Sequence, residues 1–218
     1  MFREIAESLR ERPVTEFALK TALRSIGITV PEGVVCTELP GNLGLSYPLV
    51  LKVSSAEILH KTEAGGVMVG IQGRGELEDK FRIMKERFPD SEIMIEEMIN
   101  GGIEGIVGVS RDRNFGLSIM LGSGGIYTEL FQDVTFRLIP IDETDALEMI
   151  GEVSLSKFVN GFRGLGIDKA ALAKFLLRVS GLAGAMGDYL SQLDLNPIRI
   201  DGHRITVLDA KLIKRQSR

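Results

Sequence analysis

The chain has 218 residues, 44% hydrophobic and 26% charged, with a formal net charge of −4. That length can bury a sizeable core as one large domain or two small lobes, and the acidic balance gives no electrostatic basis for nucleic acid or an anionic membrane surface as partner. The single cysteine, Cys36, excludes an internal disulfide and a cysteine-based zinc site and fits a reducing compartment.

In chain order, the N-terminal run "MFREIAESLRERPVTEF" is charged throughout and lacks the apolar centre of a signal peptide. No run approaches the roughly 18 apolar residues of a membrane span, so a cytoplasmic location is expected. After Pro13, the spacing of Leu19, Ala22, Leu23 and Ile26 predicts a helix, with Thr15 as N-cap and Gly27 closing it. "ITVPEGVVCT" is extended, and "PLVLKVS" and "GGVMVGIQ" are strand-like. The segment from Ser54 to Gly66 between them is too long for a tight hairpin turn. Leu77, Phe81, Met84 and Phe88 mark a second amphipathic helix. Four strand-like runs follow, "EIMIEEMI", "IEGIVGVSRD", "FGLSIMLG" and "VTFRLIPI". A helix starts at Asp142, and a longer one runs from Asp168 towards Leu190. The chain ends in two strands around Asp201-Gly202, a strong hairpin signal. Strands and helices alternate without a regular βαβ rhythm, which predicts an α+β fold in two lobes, 1–95 and 96–218.

Several residues in this frame could carry chemistry. With Asp201-Gly202 central to a type I′ turn, Asp194 faces Asp209, and Asn196 shares their face. Two carboxylates and an amide oxygen suit Mg²⁺; a solvated polar face is the alternative. Pro197, in the same strand, implies an edge position or a bulge. Lys52 follows "PLVL" in a strand that looks buried on both sides, so it needs an anion, either a structural carboxylate or a ligand phosphate. Glu97 and Glu104 lie in and beside an apolar strand and could accept hydrogen bonds from a ligand, or face water. Arg137 is a mid-strand candidate for an anion or an exposed strand charge. "GSGGIY" lacks the Lys-Ser/Thr of a P-loop. His60 stands in the Ser54–Gly66 connection, and His203 reads as an exposed loop residue.

Taken together and in order, "TEFALKTALRSIGITVP", "YPLVLKVSSAEILHKTEAGGV", "IEEMINGGIEGIVGVSRDRNFG", "LGSGGIYTELFQDVTFRLIPI", "LDLNP" and "LDAK" resemble one family. It is the nucleotide-binding β subunit of the NDP-forming acyl-CoA synthetases (acetate–CoA ligase, ADP-forming), ATP-grasp proteins related to succinyl-CoA synthetase. The resemblance runs from about Val14 to Lys211; the segment "VVCTELPGNLGLSYP" is shorter than usual in that family. It implies an ATP-grasp fold of two α+β subdomains with ATP or ADP and Mg²⁺ as cofactors. Lys52 would contact the phosphates, and Glu97 with the backbone of Met98 and Ile99 would hold the adenine. Glu104 would take the ribose hydroxyls, with Arg137 facing the phosphates. Asn196 and Asp209 would ligate magnesium. His60 would be phosphorylated and Asp194 would orient it, which suits an imidazole that is neutral and nucleophilic near pH 7. The implied partner is a CoA-binding α subunit with its own phosphohistidine, in an α2β2 assembly. Two rivals remain: an ATP-dependent carboxylate ligase without phosphohistidine, and a non-catalytic or regulatory nucleotide-binding module.

Overall fold

Thr15 opens the first predicted helix as expected: its hydroxyl oxygen accepts the Ala18 N–H at 3.3 Å. The helix, α2 (Glu16–Ser25), ends before Gly27, which takes the left-handed conformation (φ 76°). Ahead of it lies a helix not anticipated from the charged N-terminus, α1 (Phe2–Arg10), with Ala6 and Leu9 buried. The computed structural model describes residues 1–11, 13–56, 58, 61–124 and 132–215. The chain divides into two units. The larger contains Met1–Val14, Leu19–Val30 and Gly101–Arg218, and the smaller Thr15–Ala18 and Pro31–Asn100. A boundary thus falls near residue 100, but most of the first thirty residues group with the C-terminal half. The reason is apolar: Leu19, Leu23, Ile26 and Ile28 join the core of the larger unit.

The smaller unit is built on β1 (Gly33–Cys36), β2 (Leu49–Ser54), β3 (Val67–Ile71) and β4 (Glu92–Glu97), in the antiparallel order β1-β4-β2-β3. Helix α3 (Arg74–Arg87) contributes Leu77, Phe81 and Met84 to a core with Leu49, Leu51, Val53, Ile71, Ile93 and Ile95. Strand β2 lies between two partners, and all of its residues except the half-buried Val50 are buried, Lys52 included.

The larger unit holds β5 (Ile103–Asp112), β6 (Gly116–Gly122), β7 (Val134–Leu138), β8 (Leu190–Asp201), β9 (Arg204–Val207) and β10 (Ala210–Lys214). The order is β10-β8-β5-β6-β7, with β9 on β8. Asp142 caps helix α4 (Glu143–Glu152) through a reciprocal capping box with Asp145, and Asp168 caps α5 (Lys169–Met186). By length and composition Lys169–Tyr189 could span a membrane, against expectation. Its face of Leu172, Leu176, Val179 and Leu182 is instead core, packed with α4 residues Met149 and Ile150 and with Val107, Val109, Ile119, Leu121, Leu193 and Leu195 of the sheet. Strand alternation therefore sends Gly108, Ser110, Met120, Phe136, Asp194 and Asn196 to the opposite sheet face.

Candidate nucleotide and metal site

The C-terminal hairpin turns one residue later than the Asp-Gly signal suggests. Asp201 pairs with Arg204, so Gly202 and His203 form the loop, with Gly202 at φ 55°. Moving a two-residue turn by one shifts each partner by two and preserves the face. Asp194 thus lies opposite Lys211, not Asp209, and the Asn196 N–H donates to the Asp209 carbonyl at 3.2 Å. Nor is the second limb one strand. The Leu208 N–H donates to the Pro197 carbonyl at 3.0 Å, and the Leu208 carbonyl accepts from Lys20 Nζ at 2.7 Å. Asp209 stands in the break between β9 and β10. Pro197 sits in a strand with neighbours on both sides, at the register shift between Gly105 and Val107 of β5, so the bulge, not the edge, accommodates it.

The charge of Asp209 still acts on Asp194. Burial pushes the Asp194 carboxyl above its ordinary pKa, the charge of Asp209 pushes it further, and Lys211 partly offsets both. The Asp194 carboxyl, the exposed Asn196 amide on its face and the nearby charge of Asp209 offer oxygen donors suited to a hard divalent cation. Among the described residues no group of three His, Cys, Asp or Glu side chains could hold a metal.

The bulge also shifts the alternation of β8. Leu193 and Leu195 are core, and so are Ile198 and Ile200, which brings Arg199 to the face of Asn196. Arg199 is the cross-strand partner of Glu104, and its Nη2 donates to Glu104 Oε1 at 2.9 Å. Arg137 takes the other direction. It shares the helix-side face with the buried Thr135, and its guanidinium donates to Glu152 Oε1 at 2.5 Å and Glu148 Oε2 at 3.3 Å. Hydrogen bonds from Arg137 and from Thr135 hold the Glu152 carboxyl below its usual range. The anion facing Arg137 is helix α4, and the sheet separates it from Asp194. Its charge is met there by Glu152 and Glu148. Arg137→Ala should leave nucleotide dissociation constants within about twofold and lower stability by up to about 1 kcal/mol, as expected for partly exposed pairs; calorimetric titration and urea unfolding check both.

In the smaller unit Lys52 is 7% exposed and Glu96 and Glu16 are 3% and 4% exposed. Lys52 Nζ lies 2.7 Å from Glu16 Oε1 and 3.3 Å from Glu96 Oε2. The second oxygen of Glu16 accepts from Lys61. The anion that a buried lysine demands is thus in part a pair of structural carboxylates. Glu97 follows on β4: its Oε1 accepts the Ser46 N–H at 2.8 Å and its own N–H donates to Glu32 at 2.9 Å. The Met98 N–H donates to the Pro48 carbonyl at 2.8 Å, and Ile99 is half-buried. His60 lies outside the described residues, as do Gly125 to Tyr127 of "GSGGIY".

Residues 6–213 match the ATP-grasp domain. The chain belongs to the ATP-grasp family. Within that family it is 38% identical over 214 residues to the beta subunit of acetate–CoA ligase (ADP-forming) II of Pyrococcus furiosus, covering 92% of this chain and 91% of the relative. The corresponding subunit of isoenzyme I is 36% identical over 227 residues, with 97% of each chain covered. Among solved structures, an acetyl-CoA synthetase of Ca. Korarchaeum cryptofilum superposes with a TM-score of 0.77 at 32% identity, covering 99% of this chain and 100% of that one. That protein was solved with coenzyme A and Mg-AMPPCP, its phosphohistidine segment pointing towards the nucleotide site. An ATP-grasp architecture accounts for the two α+β units.

Residues that the sequence reading did not single out are Glu16, Lys61, Glu96, Arg199 and Lys20. Glu96 had a signal, an acidic residue in an apolar strand. Glu16 and Lys20 are charged residues on an amphipathic helix, with nothing local to tell a buried partner from a solvated one.

Proposed function

We propose that this ATP-grasp chain is the nucleotide-binding subunit of an ADP-forming acyl-CoA synthetase, moving a phosphoryl group between His60 and the nucleotide. The observation that carries the reading is a sheet face that presents Asp194, Asn196 and Glu104, with the charge of Asp209 acting on Asp194, in a chain 36–38% identical to beta subunits of ADP-forming acetate–CoA ligases over at least 91% of each. Lys52 would neutralise phosphate charge, Glu97 and the Met98–Ile99 backbone would hold adenine, and Glu104 the ribose hydroxyls. Asn196 and Asp209 would hold Mg²⁺, which screens the nucleotide phosphates when bound. Asp194 would orient the imidazole of His60, keeping one ring nitrogen free to take the phosphoryl group. Acyl transfer to CoA would belong to a partner subunit with its own phosphohistidine, in an α2β2 assembly.

The test is acyl-CoA-, phosphate- and Mg-ADP-dependent formation of ATP by this chain reconstituted with the CoA-binding subunit from its own source. ATP formation that requires both chains supports the reading; reconstituted protein that binds Mg-ADP yet forms no ATP contradicts it. Asp209→Asn should weaken Mg²⁺-dependent ADP binding at least ~10-fold, the loss of one charge-assisted contact. Without divalent cation ADP binding by the variant and by the parent should differ little. Calorimetric titration with and without Mg²⁺ reads both effects.

A further inference from the structure

We propose that Arg199 is the positioning residue that fixes Glu104 for the nucleotide ribose and so sets the preference for ribo- over 2′-deoxynucleotides; this rests on the ribose role of Glu104 proposed above. Glu104 and Arg199 are direct cross-strand neighbours on β5 and β8, joined by the 2.9 Å bond from Nη2. Arg199 Nε is buried and has no hydrogen-bond partner among the described residues. Nε and Nη2 form one fork of the guanidinium, so the carboxylate has a second seat on the same group and stays aimed in either one. The stem of Arg199 is held from the other side. A Cβ on Gly102 would lie 3.1 Å from its Cγ and 3.2 Å from its Cδ, so the glycine lets the stem lie against the strand entry. Gly124 packs as closely on Glu104, since its Cβ would lie 3.0 Å from the Glu104 carbonyl carbon. Gly124 thus packs against the Glu104 backbone, and the Arg199 guanidinium holds its carboxylate, which stays 42% exposed to a ligand.

The experiment titrates the whole chain with Mg-ADP and Mg-2′-deoxy-ADP by calorimetry. The parent should bind ADP at least ~10-fold more tightly than the deoxy form, the discrimination of one charge-assisted hydrogen bond. In Arg199→Met the ratio should fall to within about threefold of unity, and in Arg199→Lys, which keeps the charge but not the fork, it should lie between. A purely structural loss would weaken both ligands alike and leave the ratio unmoved. A parent-like ratio in Arg199→Met overturns the proposal. Glu104→Gln separates the two readings: a parent-like ratio there removes Glu104 from the ribose and overturns the proposal with it, while loss of the ratio in both variants supports both.

Discussion

Lys52→Met will unfold at markedly lower denaturant, with a loss of about 3–5 kcal/mol. Methionine fills much the same volume, so the cost is not a cavity. It comes from Glu16 and Glu96, both buried, which lose the ammonium 2.7 and 3.3 Å away. Glu16 keeps Lys61. Adding Glu96→Gln to Lys52→Met should recover part of the lost stability, because a neutral amide is far cheaper to bury than a carboxylate deprived of its ammonium. Urea unfolding followed by circular dichroism measures both variants. A loss below about 1 kcal/mol, the size expected of an exposed pair, would contradict a buried network. If Lys52 has the phosphate role proposed for it, the same substitution should also abolish measurable ADP binding.

Gly102→Ala carries the second large effect, and its neighbour supplies the control. Both Gly101 and Gly102 sit at φ 74°, where an L-residue costs about 1–2 kcal/mol. At Gly101 the new methyl would meet open space; at Gly102 it would lie 2.7 Å from the Ile200 carbonyl oxygen, closer than atoms pack, and press on Arg199. Gly101→Ala should cost about 1 kcal/mol, strain alone. Gly102→Ala should cost about 2 kcal/mol or more and reduce the preference for ADP over 2′-deoxy-ADP. Equal losses in the two variants would show that β8 does not approach Gly102 this closely.

The order of the elements was largely written in the residues, because apolar periodicity and caps are local. Thr15, Asp142 and Asp168 cap helices where their side chains predict, and Leu77, Phe81 and Met84 bury together. Helix α1 escaped because charge dominates its sequence, though Phe2, Ile5, Ala6 and Leu9 follow the helical spacing. The hairpin register was a competition that local turn chemistry lost. Setting Gly202-His203 in the loop pairs Ile198 with Val207 and Ile200 with Ile205, two branched apolar pairs in the core. Strand β7 inverts the usual pattern. Thr135 and Arg137 turn inward to α4, while Phe136 and Leu138, each more than half exposed, point out. Lys52 announced its need for an anion, but Glu16 and Glu96 lie far from it in sequence, and only the packed structure names them.

The proposed function requires this chain to carry phosphate on His60. Incubating the purified chain with Mg²⁺ and ATP labelled in its γ-phosphate, then quenching at alkaline pH and mapping the label, tests it most directly. The account predicts acid-labile, alkali-stable label on the chain, lost in His60→Ala while that variant still binds ATP. Full labelling of His60→Ala, or ATP binding with no label on the parent, would contradict it.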